Sequence, residues 1–214
     1  LSNTKAESAN FPFCTIEPNV GLVSIPDQRL LTLAKIAQSE QIVPTTIEFV
    51  DIAGLVKGAA EGKGKGNAFL SNIREVDLII HVVRCFDDDD IIHVEGSVDV
   101  QRDISIIEYE LILKDIESLE KKIQNISKQS KSGDKEAKSA LDDAKELLAH
   151  LEQGNSARSF REGEVLFRDL FLLSQKPVLY ACNVSEDDIV AGDNSYVQQV
   201  TEYARSQGDE TVSF

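Results

Sequence analysis

The sequence predicts an α/β protein: a mostly parallel sheet flanked by helices, with an antiparallel helical coiled-coil hairpin inserted between two of its strands. Three observations predict it. Asp77 to Cys85 and Val178 to Asn183 are nearly continuous apolar runs, the texture of strands in a parallel sheet buried on both faces. Between them, Ile104, Ile107, Leu111, Ile116, Leu119, Ile123 and Ile126 recur at helical spacing. Ala137, Leu141, Ala144, Leu148 and Leu151 do so again after a break at Ser132-Gly133-Asp134. The positions between are rich in Lys, Glu, Asp and Ser, which leaves one narrow apolar seam, as two helices folded on each other require. Finally, 214 residues with 42% hydrophobic content suffice for one good core and a small appendage.

The elements follow in order. Pro12 and Pro18 break regular structure in residues 1–19, read as a loop with a short helical lead-in. Val20 to Ile25 alternates as a short strand. Asp27 then caps a helix carrying Leu30, Leu31, Leu33, Ala34 and Ile36. Thr45 to Ile52 reads as a strand, residues 58–66 as a Gly/Lys loop, and Asn67 to Glu75 as a helix. After the hairpin, Glu162 to Ser174 reads as a helix returning the chain to the sheet, and Tyr196 to Ser206 as a closing helix.

Charge and cysteine usage narrow the function classes. The formal charge is −15, from 37 acidic and 22 basic residues, which argues against the chain as a whole gripping a phosphate backbone. Lys121, Lys122, Lys128, Lys131 and Lys135 nevertheless cluster near the hairpin tip. They fit either a solvated face or a contact to RNA or protein. Cys14, Cys85 and Cys182 are far apart and show no C-x-x-C pairing, so they read as free thiols of a reducing compartment. No apolar run reaches membrane-spanning length and no signal peptide is visible. The chain contains no Met and is expected to be a piece of a longer protein.

Two strand ends carry the chemistry. The strand ending at Asp51 is followed by Gly54. A carboxylate at the C-terminal end of such a strand can hold a Mg²⁺-bound water, and a glycine amide can approach a γ-phosphate unobstructed. Many GTPases place a water-orienting Gln next; Leu55 stands here and cannot hydrogen-bond water. The second strand ends in Asn183-Val184-Ser185-Glu186, where GTPases use Asn-Lys-x-Asp. Val184 replaces the Lys and Glu186 the guanine-reading Asp. Adenine, which lacks guanine's N2 donors, does not need that acceptor, so the pattern points to ATP at least as much as GTP. A polar strand terminus with an Asx-type turn is the plain alternative.

Residues 10–19 (Asn-Phe-Pro-Phe-Cys-Thr-Ile-Glu-Pro-Asn), 49–58 (Phe-Val-Asp-Ile-Ala-Gly-Leu-Val-Lys-Gly), 81–86 (His-Val-Val-Arg-Cys-Phe) and 89–94 (Asp-Asp-Ile-Ile-His-Val), together with 183–186, resemble the YchF family, the Obg-like ATPases of the Obg branch of P-loop GTPases. The resemblance covers essentially the whole chain. It implies a P-loop-NTPase-type nucleotide domain in two parts, 1–99 and 154–214, around a coiled-coil insertion at 100–153. It implies a cytoplasmic, monomeric, ribosome-associated switch, contacting a subunit protein or rRNA and neither DNA nor membrane. ATP is its expected substrate, GTP a poorer one, and Mg²⁺ its cofactor. Thr15 and Asp51 would ligate the metal, and Gly54, Asn183, Val184 and Glu186 would hold the nucleotide. His93 would be the catalytic residue, standing in for the missing Gln; its alternative is an idle surface histidine beside Asp87 to Asp90. The glycine loop at 58–66, with Lys57, Lys63 and Lys65, would be switch II.

No G-x-x-x-x-G-K-[ST] phosphate loop occurs in the chain. The resemblance places that loop before Leu1 and a TGS domain after Phe214. The competing reading is a non-catalytic, nucleotide-sensing scaffold that binds partners through the arm. A conventional GTPase is disfavoured by Leu55 and Glu186.

Overall fold

The computed structural model describes residues 19–51, 73–88, 90–91, 93, 95–130, 134–163, 165–192 and 194–214. The chain divides into two compact units, Leu1–Leu55 and Val56–Phe214.

In the first unit, β1 (Asn19–Ser24) pairs antiparallel with β2 (Thr46–Asp51), from Asn19 opposite Asp51 to Ser24 opposite Thr46. The intervening α1 (Gln28–Ala37) starts at Asp27, whose carboxylate accepts from the Arg29 amide at 2.9 Å. It ends at Gln38, in the left-handed conformation at φ 52°. The first is the cap the sequence signals at Asp27; the second is a left-handed C-cap held by Gln where Gly or Asn is usual, and the sequence does not announce it. None of the α1 residues is buried.

In the second unit, β3 (Ile79–Arg84), β4 (Val178–Asn183) and β5 (Glu210–Ser213) form a parallel sheet in that order. Ile79 lies opposite Val178 and Arg84 opposite Asn183, which brings the two strand ends level. The crossover from β3 to β4 contains the helical arm, α2 (Val100–Ser130) and α3 (Lys135–Glu152). The crossover from β4 to β5 contains α4 (Glu186–Ala191) and α5 (Ser195–Gln207). One core packs Val83, Cys85, Tyr180 and Cys182 of the sheet against Val100 and Ile104 of α2 and Val200 of α5. A second joins Ile112 and Leu119 of α2 to Ala144, Leu147 and Leu151 of α3, with Ala157, Phe160 and Leu172. Helix α2 is therefore one shaft, rooted in the sheet core and continuing into the arm. The other face of β3 differs from the expectation of burial on both sides: Ile80 and Val82 remain 40% and 58% exposed.

The segment from 157 to 175 is not the helix the sequence predicts. It forms three short 3-10 turns, Ala157–Gly163, Arg168–Leu170 and Leu173–Gln175. Phe167 and Phe171 sit at positive φ, 51° and 46°, which interrupts any continuous helix. The competing interaction is Asp115, fully buried on α2. Its carboxylate accepts from the Leu173 amide, the Ser174 amide and the Ser174 hydroxyl, each at 2.7 Å. These amides are thereby taken from a helical ladder. Burial raises the Asp115 pKa above the ordinary carboxylate value, while the three donors and the Arg74 charge oppose that rise. His150, near the end of α3, is held onto the same segment. Its Nε2 lies 3.1 Å from the Ser156 carbonyl and 2.9 Å from the Ser159 hydroxyl, and its ring meets Phe160 edge-on at 5.3 Å.

Candidate functional site

The level ends of β3 and β4 organise the candidate site in the second unit. Arg84 closes an otherwise apolar strand, and its guanidinium turns back on the loop that follows. It donates to the carbonyls of Phe86 (3.0 Å), Ile91 (2.9 Å) and Asp88 (3.2 Å), and stacks 4.6 Å from the Phe86 ring centre. Three fixed donors hold the acidic loop in shape. Asp87 in that loop accepts from the Tyr196 hydroxyl at 2.8 Å. Asn194 ties the same place from the other side. Its Oδ1 caps α5 through the Tyr196 and Val197 amides, at 2.9 and 3.0 Å. Its Nδ2 donates to the Cys85 carbonyl at 2.8 Å and to Asp188 at 3.0 Å.

At the end of β4, the Asn183 carbonyl accepts from the Cys85 amide at 2.8 Å, and the residue is half-buried. Val184 packs its side chain against the sheet core, while its amide donates to the Phe214 carbonyl at 3.3 Å. Ser185 caps α4: its Oγ accepts from the Asp188 amide at 3.2 Å and donates to the Asp188 carboxylate at 2.7 Å. Glu186, the first residue of α4, is exposed. So the turn read from sequence exists, with its capping residue at Ser185, and it presents the Glu186 carboxylate outward while turning Val184 inward.

His93 is placed at the root of the arm. Its Nε2 lies 3.0 Å from Asp103 Oδ2, and its Nδ1 accepts from the Glu95 amide at 3.1 Å. Asp51, the last residue of β2, belongs to the first unit and is exposed. Thr15, Gly54, the loop at 58–66 and Cys14 lie outside the described residues. Among the described residues, no group of three or more His, Cys, Asp or Glu is arranged to hold a metal. No described helix is long and apolar enough to cross a membrane. Cys85 and Cys182 are free, fully buried thiols. The Cys182 thiol beside it, together with burial, holds Cys85 well above the ordinary thiol range, so it stays protonated.

Strand register thus brings Arg84, Asn183, Val184 and Glu186 to the C-terminal end of the sheet, and loop and cap bonds add Asp87 and Asn194. Sequence reasoning missed the organising roles of Arg84, Asn194 and Asp103. A lone Arg ending an apolar strand before an acidic loop is a signal for the first. Asn194, followed by a helical period, is a cap signal for the second. Nothing local marks Asp103 as a partner of His93.

The family model described as "50S ribosome-binding GTPase" matches residues 1–183. The Ribosome-binding ATPase YchF of Bacillus subtilis (strain 168) is 47% identical over 216 residues, covering 99% of this chain and 59% of that protein. The protein of the same name from Mycoplasma pneumoniae is 43% identical over 208 residues, covering 96% of this chain and 58% of its own length. The solved Schizosaccharomyces pombe YchF GTPase superposes with a TM-score of 0.74 at 38% identity, covering 96% of this chain and 57% of that one. The chain therefore spans well under two thirds of these relatives. With the motifs at both strand ends and an arm inserted in the β3–β4 crossover, the chain belongs to the YchF family of the 50S ribosome-binding GTPases.

Proposed function

We propose that this chain is the nucleotide-handling part of a ribosome-associated nucleoside triphosphatase that prefers ATP to GTP. The carrying observation is the end of β4. An N-capped turn directs the Glu186 carboxylate outward and leaves Val184 in the core, so neither the guanine-reading Asp nor the Lys stem of a GTPase is present. The names of the relatives, ribosome-binding ATPase in bacteria and GTPase in the yeast structure, support nucleotide hydrolysis and a ribosomal partner. In this reading residues 1–99 and 154–214 form the nucleotide domain and residues 100–153 its inserted arm. The protein works as a cytoplasmic monomer.

Asn183, Val184 and Glu186 frame the base, Gly54 faces the γ-phosphate, and Thr15 and Asp51 serve Mg²⁺. The fit of the metal rests on Asp51. Its carboxylate is exposed and carries no hydrogen bond or ion pair among the described residues. Mg²⁺ typically takes one or two protein oxygens and completes its shell with water and phosphate. Bound there, the metal would neutralise phosphate charge as the γ-phosphoryl departs. With Leu55 unable to orient water, His93 is assigned that task.

One observation favours the alternative, a nucleotide-sensing scaffold with negligible turnover: both ring nitrogens of His93 are already engaged. Steady-state hydrolysis by the complete protein separates the two. The expected result is kcat/KM for ATP above that for GTP by roughly tenfold or more, the scale on which a lost buried hydrogen-bond pair discriminates. H93A should lower kcat by roughly 10²-fold, the weight of one general base. A preference for GTP refutes the base assignment, and tight binding without turnover establishes the scaffold.

A further inference from the structure

His93 and Asp103 meet where the loop after β3 enters the arm, and Asp103 lies in the first turn of α2. The two side chains are only 17% and 20% exposed. A neutral imidazole has one N–H and one lone pair. The Glu95 amide donates into Nδ1 at 3.1 Å, so Nδ1 carries the lone pair. The proton then sits on Nε2, which donates to Asp103 Oδ2 at 3.0 Å. Donor and acceptor are both spent, and in this geometry His93 has nothing left with which to take a hydrogen bond from water.

Asp103 is itself fixed. Its Oδ1 accepts from Arg102 Nε at 3.1 Å and Nη2 at 2.9 Å. Arg102 also donates to the Ser97 hydroxyl at 3.3 Å and to the Ser97 carbonyl at 2.5 Å. When His93 leaves, Asp103 keeps Arg102 as its counter-charge, so release strands no buried ion. The contact is therefore strong enough to hold the ring and cheap enough to open. It is also mechanically placed: Val100 and Ile104, on either side of Asp103, are in the sheet core, and the same helix continues into the arm.

We infer that Asp103 is a positioning residue that parks His93 against the root of the arm, so that hydrolysis waits on a shift of the first turn of α2. The inference rests on the water-placing role proposed for His93. A partner that grips the arm acts on the same helix that holds the latch, and its binding and the release of His93 are linked through that turn.

The test uses the complete protein without ribosomes. D103A is expected to raise ATP turnover by roughly tenfold, the weight of one charge-assisted hydrogen bond. D103N, which keeps an acceptor without the charge, should fall between D103A and the parent. H93A/D103A should turn over no faster than H93A alone. Nitrogen-15 spectra should show the Nε2-protonated tautomer of His93 in the parent and, because the Glu95 amide still donates into Nδ1, in D103A as well; only the Nε2 proton should lose its hydrogen-bond shift and exchange protection, a selective change that general loosening of the loop does not produce. Turnover in D103A at or below the parent rate overturns the latch; a fall matching H93A would make Asp103 an orienter of the working imidazole. H93A turning over at the parent rate removes His93 from the chemistry and the latch with it, while leaving the ATPase reading standing.

Discussion

His81 stands among apolar neighbours in β3, its ring 5.6 Å from that of Tyr180. It borders a small cavity also lined by Glu108, Ser156, Arg158 and Tyr180. The charges there are paired among themselves. Glu108 accepts from Arg158 at 3.1 Å, from the Tyr180 hydroxyl at 3.0 Å and from the Tyr203 hydroxyl, and Arg158 also faces Asp209 at 3.1 Å. Burial lowers the His81 pKa to about 4, against the opposing pull of Glu108 and Asp103. The unfolded chain, with a histidine pKa near 6.5, binds more protons than the folded one between these values. Stability is therefore fully present above about pH 6.5 and is lost as pH falls towards 4, by at most ~3 kcal/mol. Urea unfolding followed from pH 7 to pH 4.5 should show this decline, and H81Q should flatten it. An unchanged slope in H81Q would assign the acid sensitivity elsewhere. The apolar neighbours of His81 in the strand are the sign of that burial legible in the sequence. It could not supply the cross-strand Tyr180 or the Glu108 on α2, which set the environment of the ring.

At the scale of elements, Asp115 decides the conformation of the segment between arm and β4. It is fully buried, and its three acceptor bonds reach donors 58 and 59 residues away. D115A would leave two buried amides and a hydroxyl without their acceptor, and should destabilise the fold by about 3 kcal/mol. A denaturation midpoint within error of the parent would show that water replaces the carboxylate freely. The same contact explains which parts of the fold were legible. Strands β3 and β4 and the arm are written locally, as apolar runs and a helical seam, and they stand where those patterns put them. The predicted helix from Glu162 to Ser174 had suitable periodicity, but periodicity cannot register a distant carboxylate that captures the amides of Leu173 and Ser174. Strand β5 was missed because Glu210–Ser213 has only four residues and takes its identity from pairing with β4. At the site, the turn at 183–186 was readable from its polar pattern. The His93–Asp103 pair was not, since a histidine on an acidic loop gives no sign of which carboxylate it will choose.

For the molecule as a whole, the proposed function poses the question of how so acidic a chain would meet an RNA-rich partner. The answer lies in distance. Helix α3 has 18 residues, which at 1.5 Å each carries the arm tip about 27 Å from its base. Exposed charges are screened within about 8 Å at physiological salt, so the lysines beyond Lys122, which is itself paired with Asp169, are shielded from most of the body's charge. Residues 121–138 hold six lysines against two acids, a local charge of +4 in a chain whose total is −15. Lys121 and Lys122 are tied to Glu117 and Asp169 at 2.6 and 2.7 Å. Lys128, Lys135 and Lys138 are exposed and carry no ion pair among the described residues; Lys131 lies outside them. Three point charges in a stretch, 121–138, that contains no Phe, Tyr or Trp suit phosphate oxygens rather than bases. If the arm tip contacts ribosomal RNA, as the proposed function implies, the K128E/K135E/K138E variant should bind ribosomes more weakly. Its slope of log affinity against log salt should be shallower by about 3, near one unit for each phosphate contact removed. Binding measured across a salt series, with hydrolysis of free ATP as the control, tests this. An unchanged slope with normal hydrolysis would move the ribosomal contact off the tip and leave the three lysines as a solvated surface. A collapse of hydrolysis together with binding would mean that the reversal had damaged the fold, and K128Q/K135Q/K138Q, which adds no new charge, would then carry the measurement.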